Sequence, residues 1–252
     1  MTGRIASRWV TCPHPRDTPK VRLFCLPFAG GGASTYRLWP TVLPSWIEVC
    51  PIQLPGREDR YREPAFTNTI GISRAIAREL TPYLDRPFSF FGHSMGALLS
   101  FEVARALRHS GSPSPDALFL AAYPAPHEAV ARRQIHHLPD DEFIAEMRRM
   151  AGTPDAVLRN ADLMAFMLPV LRADFHACDT YTHPEEPPLD VPFFLFGGSD
   201  DGEVAPQALE GWRQHTTAMF VRQTLPGTHF FVQTQRDQVL AEITRRLADL
   251  SV

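Results

Sequence analysis

No stretch of this chain approaches the ~20 consecutive apolar residues that a helix needs to cross a bilayer, so a membrane span is not expected. The first residues lack a charged start followed by an apolar segment, so no secretory signal is expected either. An excess of one charge is missing too. The 25 basic and 28 acidic residues leave a net charge of -3, so the composition gives no sign of nucleic-acid binding. Cysteine is sparse, and Cys12, Cys25, Cys50 and Cys178 have no CxxC or zinc-like spacing. Cys25 and Cys50 lie in apolar runs, where a reduced thiol packs as a small hydrophobe. A reducing, cytoplasmic setting is therefore expected. Internal repeats and low-complexity segments are also lacking.

What is present is 252 residues, 44% apolar and 21% charged, the size and make-up of one soluble globular domain spanning 1–252. Strand-like and helix-like runs alternate, which predicts an α/β fold with a mostly parallel central sheet flanked by helices. Strands are expected at 21–26, within 46–54, and at 88–91, 117–122, 193–196 and 219–225, with an edge strand near 8–12. Helices are expected at 34–43, 69–84, 95–109, 206–215 and 236–250, the first capped by Ser34 and the third followed by Gly111. Residues 126–188 break the alternation. They carry helical patterns, opening at 139–142, at 153–155 and at Asn160, but no convincing strand. The segment reads as an insertion at the carboxyl ends of the strands, either a lid over a site or a simple pair of crossover helices.

The stretch that points to chemistry is Gly92-His93-Ser94-Met95-Gly96, between an apolar strand and an apolar helix. A G-x-S-x-G in that context is a nucleophile elbow: a turn so tight that only small residues fit two positions either side of the serine. A serine hydroxyl is a poor nucleophile near neutral pH and needs a base, which in turn needs an orienting carboxylate. In this architecture the order along the chain is serine, acid, histidine. Of the ten histidines, His229 follows the last strand and precedes the terminal helix. The others considered read as exposed (His109, His136, His137, His215) or as turn residues (His14, His183). The acid comes from the strand end Gly197-Gly198-Ser199-Asp200-Asp201. Asp201 is preferred, with Val204 three residues on as a loop anchor, and Asp200 is the alternative.

An oxyanion hole needs two backbone N–H groups. One is expected from Met95, at the start of the helix, and the other from Ala29, or failing that Phe28, in the loop Pro27-Phe28-Ala29-Gly30-Gly31-Gly32. That loop lacks the spacing and the lysine of a phosphate-binding loop.

Together these motifs resemble type II thioesterases, the stand-alone hydrolases of polyketide and nonribosomal peptide synthesis. The resemblance is carried by Phe24-Cys25-Leu26-Pro27-Phe28-Ala29-Gly30-Gly31, Gln53-Leu54-Pro55-Gly56-Arg57-Glu58, the Ser94 elbow, Leu168-Pro169-Val170-Leu171-Arg172-Ala173-Asp174-Phe175, Gly197-Gly198-Ser199-Asp200-Asp201 and Gly227-Thr228-His229-Phe230-Phe231. It implies an α/β-hydrolase fold with a helical lid. It also implies hydrolysis of stalled or aberrant acyl groups from the phosphopantetheine arm of an acyl- or peptidyl-carrier protein, with no cofactor and no metal, by a monomer. Met147, Met150, Met164 and Met167 of the insertion are candidates to line an acyl site or to pack as core. Arg132, Arg133, Arg148 and Arg149 are candidates to meet an acidic carrier or to form a solvated face. The alternatives are a carboxylesterase, lipase or acyltransferase with the same three residues, and a non-catalytic partner-binding protein on the same fold.

Overall fold

Strands buried on both faces read as near-continuous apolar runs; six strands pair here into one sheet, five of them largely buried and the last, Phe220–Leu225, buried only at Leu225. The computed structural model describes residues 7–128, 133–150 and 158–250. Its strands are β1 (Val21–Leu26), β2 (Ile47–Pro51), β3 (Phe88–His93), β4 (Leu118–Ala121), β5 (Phe193–Gly198) and β6 (Phe220–Leu225), in the order β2-β1-β3-β4-β5-β6. Every pairing is parallel, with Phe24 beside Cys50 on one side and Phe90 on the other. The helices are α1 (Trp39–Val42), α2 (Thr69–Leu80), α3 (Met95–His109), α4 (Asp140–Arg149), α5 (Ala161–Asp179), α6 (Phe231–Thr234) and α7 (Arg236–Leu250).

Side chains alternate across each strand, so one sheet builds two cores. Phe24, Phe88, Phe90, Leu120 and Leu195 pack on one face with Ile76 of α2 and Leu98 and Leu99 of α3. Leu23, Cys25, Phe91, Phe119 and Phe194 pack on the other with Trp39 of α1 and Val239, Leu240 and Ile243 of α7. A third cluster belongs to the segment between β4 and β5. It joins Phe143 and Met147 of α4 to Met164 and Leu171 of α5. The far end of α5 leaves that cluster, and its Ala177 packs in the first sheet core.

Local expectations fare unevenly. Helices 95–109 and 236–250 form over those residues. The expected helix at 34–43 breaks into a 3-10 turn (Ala33–Tyr36) and the single turn of α1, with Pro40 in the first turn of the latter. Ser34 caps neither, because its hydroxyl donates to the Glu58 carboxylate at 2.6 Å. Residues 206–215 wind as a 3-10 helix. The expected edge strand near 8–12 contributes only an isolated antiparallel bridge, Val10 to Ile52. Asn160 caps α5 by accepting from the Leu163 amide at 3.1 Å. The helix opening expected at 153–155 lies outside the described residues.

The strand order reverses between β1 and β3, and crevices form at the carboxyl ends of strands at such a switch point. Here the chain from β1 and the first turn of α3 nearly touch. A Cβ on Gly96 would collide with the Leu26 carbonyl at the end of β1, and one on Gly92 would collide with the Gly96 carbonyl. The expected cost of Gly96→Ala is about 3 kcal/mol, the upper end of the usual range for overpacking. It should be read as a lower urea midpoint by circular dichroism. An unchanged midpoint would mean that α3 can slide away from β1 freely.

Candidate active site

Ser94 is the single residue between β3 and α3. Its backbone sits at φ 54 and ψ -121, a region costly for a residue with a side chain. The strain is held on both sides: its amide donates to the Ala121 carbonyl at 2.8 Å, and its carbonyl accepts from the Ala97 amide at 2.8 Å. The turn leaves the hydroxyl partly exposed above the sheet rim, where His229 meets it.

His229 Nε2 lies 3.0 Å from Ser94 Oγ, and His229 Nδ1 lies 2.9 Å from Asp201 Oδ2. An ionised carboxylate only accepts, so Nδ1 carries the proton and Nε2 is left to accept from the serine. Asp201 also accepts from the amides of Glu203 at 2.8 Å and Val204 at 3.1 Å, which fixes its direction. Burial would raise its pKa. The hydrogen bond and charge of His229, with the two amides, more than offset this and hold the carboxyl below its ordinary value. Asp200 points elsewhere: it accepts from the Ser199 hydroxyl and is exposed. A hydroxyl, an imidazole and a buried carboxylate in this chain can pass a proton off the hydroxyl and stabilise the imidazolium that results.

A cavity of about 60 Å³ opens beside Ser94, bounded at the sheet rim by Phe28, Ala29, Met95, His229 and Phe230. The Met95 amide opens α3, where helix N–H groups lack intrahelical partners and favour negative charge. The turn Phe28–Gly31 closes by Gly31 N–H donating to the Phe28 carbonyl at 2.9 Å.

The thioesterase domain family matches residues 21–247. The chain belongs to the thioesterase family. The gramicidin S biosynthesis protein GrsT of Aneurinibacillus migulanus is 42% identical over 241 residues, covering 96% of this chain and 94% of that one. Among solved structures, the type II thioesterase BorB from the borrelidin biosynthetic cluster superposes with a TM-score of 0.89 at 32% identity, covering 99% and 100% of the two chains. RedJ, a thioesterase of the prodiginine pathway in Streptomyces coelicolor, gives 0.85 at 37% identity, covering 96% and 91%.

Away from the rim, the cavity of this thioesterase is walled by Tyr123, Met147, Met150, Leu171, Phe175 and Cys178. Of the four methionines considered for that wall, Met147 and Met150 line it. Met164 and Met167 do not. One turn apart on α5, they face the core of the insertion with Ile135 and Phe143. Two carboxylates also border the cavity, and both are engaged. Glu203 pairs with Arg149 at 2.6 Å, and Asp179 accepts from the amides of Ile135 and His136. Of the arginines considered for carrier contact, Arg133 and Arg149 both bind Glu146, and Arg132 lies outside the described residues.

Two histidines depart from the sequence reading. His215, expected to be exposed, is buried against Phe101 and Trp212 because the 3-10 helix turns its last residue inward. Burial, with the neighbouring His183 and His127, lowers its pKa to about 4. His93 lies inside the elbow motif, which by itself assigns it no role. It is buried, and its Nε2–H donates to the His229 carbonyl at 2.8 Å, holding the backbone of the residue beside Ser94. The signal was in the motif: the residue before the serine ends a strand and points to the side of the sheet opposite its neighbours.

Burial and the proximity of His229 push the His93 pKa down to about 3. An unfolded histidine takes up its proton near 6.5, while the folded one resists. The stability present above pH 6.5 is therefore lost as pH falls, by about 1.4 kcal/mol per unit until about pH 3. His93→Asn keeps a donor for the carbonyl and removes that titration. Between pH 7 and pH 5 the variant should lose about 2 kcal/mol less unfolding free energy than the parent, measured by urea titration. Equal losses would show that His93 is protonated in the folded protein.

Proposed function

We propose that this thioesterase hydrolyses acyl groups from the phosphopantetheine arms of acyl- or peptidyl-carrier proteins, clearing stalled or aberrant intermediates of polyketide or nonribosomal peptide synthesis. The observation that carries this reading is the Ser94–His229–Asp201 hydrogen-bonded chain beside a largely apolar cavity, in a chain of this family. Relatives named for gramicidin S, borrelidin and prodiginine biosynthesis supply the substrate class.

In this mechanism Ser94 Oγ attacks the thioester carbonyl carbon while His229 Nε2 takes its proton. The negative oxygen accepts hydrogen bonds from the Met95 and Ala29 amides, each worth about 3 kcal/mol in the transition state. Phe28 is the fallback donor for Ala29. The C–S bond then breaks, and the thiolate leaves with the proton from His229. Water gives a proton to the same nitrogen and attacks the acyl-serine ester, and the acid departs as Ser94 recovers its proton. Asp201 holds the imidazole in the required tautomer throughout. No cofactor or metal takes part.

The segment 126–188 serves as a lid within a single domain, 1–252, and Met147 and Met150 contact the acyl chain. A monomer suffices, since one chain supplies all the groups named. No helix among the described residues is long and apolar enough to cross a membrane. With all four cysteines reduced, the cytoplasm is the setting we assign.

Ser94→Ala should lower kcat/KM by about 10^4-fold or more, and Asp201→Asn by about 10^3-fold or more, whereas Asp200→Asn should change it by roughly threefold at most. Steady-state hydrolysis of an acyl thioester on a carrier protein measures all three, and a larger loss in Asp200→Asn would exchange the roles of the two acids. The reaction class has its own test. A panel of carrier-bound acyl thioesters and matched oxygen esters should favour the thioesters, and a preference for the oxygen esters would make the protein a carboxylesterase. A fluorophosphonate should label the parent protein and leave Ser94→Ala unlabelled. No labelling of either would favour a non-catalytic binding protein.

A further inference from the structure

Two stretches that carry the family resemblance are not used by the mechanism above: the loop around Arg57 and the part of α5 around Asp174. They lie 117 residues apart in the chain and meet in one buried ion pair. Arg57 Nη1 donates to Asp174 Oδ2 at 2.6 Å and Nη2 to Oδ1 at 2.8 Å, with Asp174 only 1% exposed. The remaining guanidinium bonds go to the Pro55 and Gly31 carbonyls.

The pair holds the oxyanion loop. Asp174 Oδ2 accepts from the Gly30 amide at 2.7 Å, and Arg57 binds the Gly31 carbonyl at 3.2 Å. These residues form the far side of the turn Phe28–Gly31, in which Gly30 takes φ 78, as the third residue of a type II turn requires. The Phe28 carbonyl faces into that turn to accept from Gly31. A trans peptide points its C=O and N–H in opposite directions, so the Ala29 N–H of the same peptide unit faces out of the turn. Leu171, three residues before Asp174 on the same face of α5, packs so closely that a Cβ on Gly30 would lie 2.5 Å from it. Gln53 braces the other side, accepting from the Ala33 amide at 2.9 Å and donating to the Arg57 carbonyl at 3.1 Å.

We propose that Arg57 and Asp174 are positioning residues that lock the oxyanion loop to α5, so that the Ala29 N–H is aimed at the developing oxyanion only while α5 is seated. The proposal rests on the serine-hydrolase reading above. It makes the insertion part of the catalytic geometry as well as a cover. Asp174 acts through Gly30 and touches no reacting atom. Arg57 supplies the paired charge without which a buried carboxylate is not tolerated.

The test compares Asp174→Asn with the double variant Arg57→Met/Asp174→Leu, which leaves no unpaired buried charge. Each is checked for folding by circular dichroism. Substrate is the propionyl thioester of N-acetylcysteamine. Two inhibitors are used: a trifluoromethyl ketone, which forms a tetrahedral anionic adduct with serine, and the same molecule with CH₂ in place of the ketone. The double variant should lose about 100-fold in kcat and Asp174→Asn about tenfold, because the amide oxygen still accepts from Gly30. KM should stay within roughly threefold, and the trifluoromethyl ketone should weaken in parallel with kcat/KM while its CH₂ counterpart binds unchanged. A kcat within twofold of the parent in either folded variant overturns the proposal, as does equal weakening of the two inhibitors. If the double variant does not fold, Asp174→Asn decides by the same criteria. Turnover surviving in Ser94→Ala would overturn the serine-hydrolase reading instead, whatever the pair does.

Discussion

Where α3 begins, its first turn lies so close to the ends of β1 and β3 that neither Gly96, against Leu26, nor Gly92, against Gly96 itself, can carry a side chain. That contact sets where the serine sits. It forces the chain to reverse within one residue, gives Ser94 its positive φ, and brings the helix N-terminus beside the loop that leaves β1. The two amides considered for the oxyanion then come from neighbouring strand ends without any long connection. The cost of the strained residue is borne by the sheet, whose inner strands are buried on both faces and cannot relax toward it.

Around this turn, buried polar groups are handled in two ways. His93 is kept neutral and spends its proton on a backbone carbonyl. Asp201 and Asp174 are paired, one with an imidazole and two amides, the other with a guanidinium and an amide. Each arrangement satisfies the group and also fixes a piece of backbone that the site uses: residue 229, the loop at 203–204, and the turn at 28–31. In a medium that penalises an unpaired charge heavily, such bonds hold direction better than solvent-exposed ones.

Much of the fold was legible because its signals are local. The inner strands are largely apolar runs too short for helices, and helices 95–109 and 236–250 have clear periodicity. Reading failed where a distant residue decides. Ser34 looks like a cap until Glu58, 24 residues on, takes its hydroxyl. His215 looks exposed until Phe101 and Trp212 close over it. Met147 and Met164 are alike in sequence and share the insertion core, and only the packing of α4 on α5 leaves Met147 also at the cavity wall. For the site, strand-end addresses were enough to nominate Ser94 and His229, and two adjacent aspartates left a choice that turns on backbone direction. Arg57 and Asp174 both stand in stretches that carry the resemblance, but neither stretch shows that the two meet across 117 residues.

α5 is shared between two bodies. Its early turns sit in the insertion's cluster through Met164, while Asp174 and Ala177 are tied to the main structure by an ion pair and by the sheet core. Pro169 stands between these halves and has no N–H to give to the turn before it, so the helix is missing a rung there. The cavity beside Ser94 therefore draws its α5 wall, Leu171, Phe175 and Cys178, from the side of the notch that carries the ion pair, and takes nothing from the turns before Pro169.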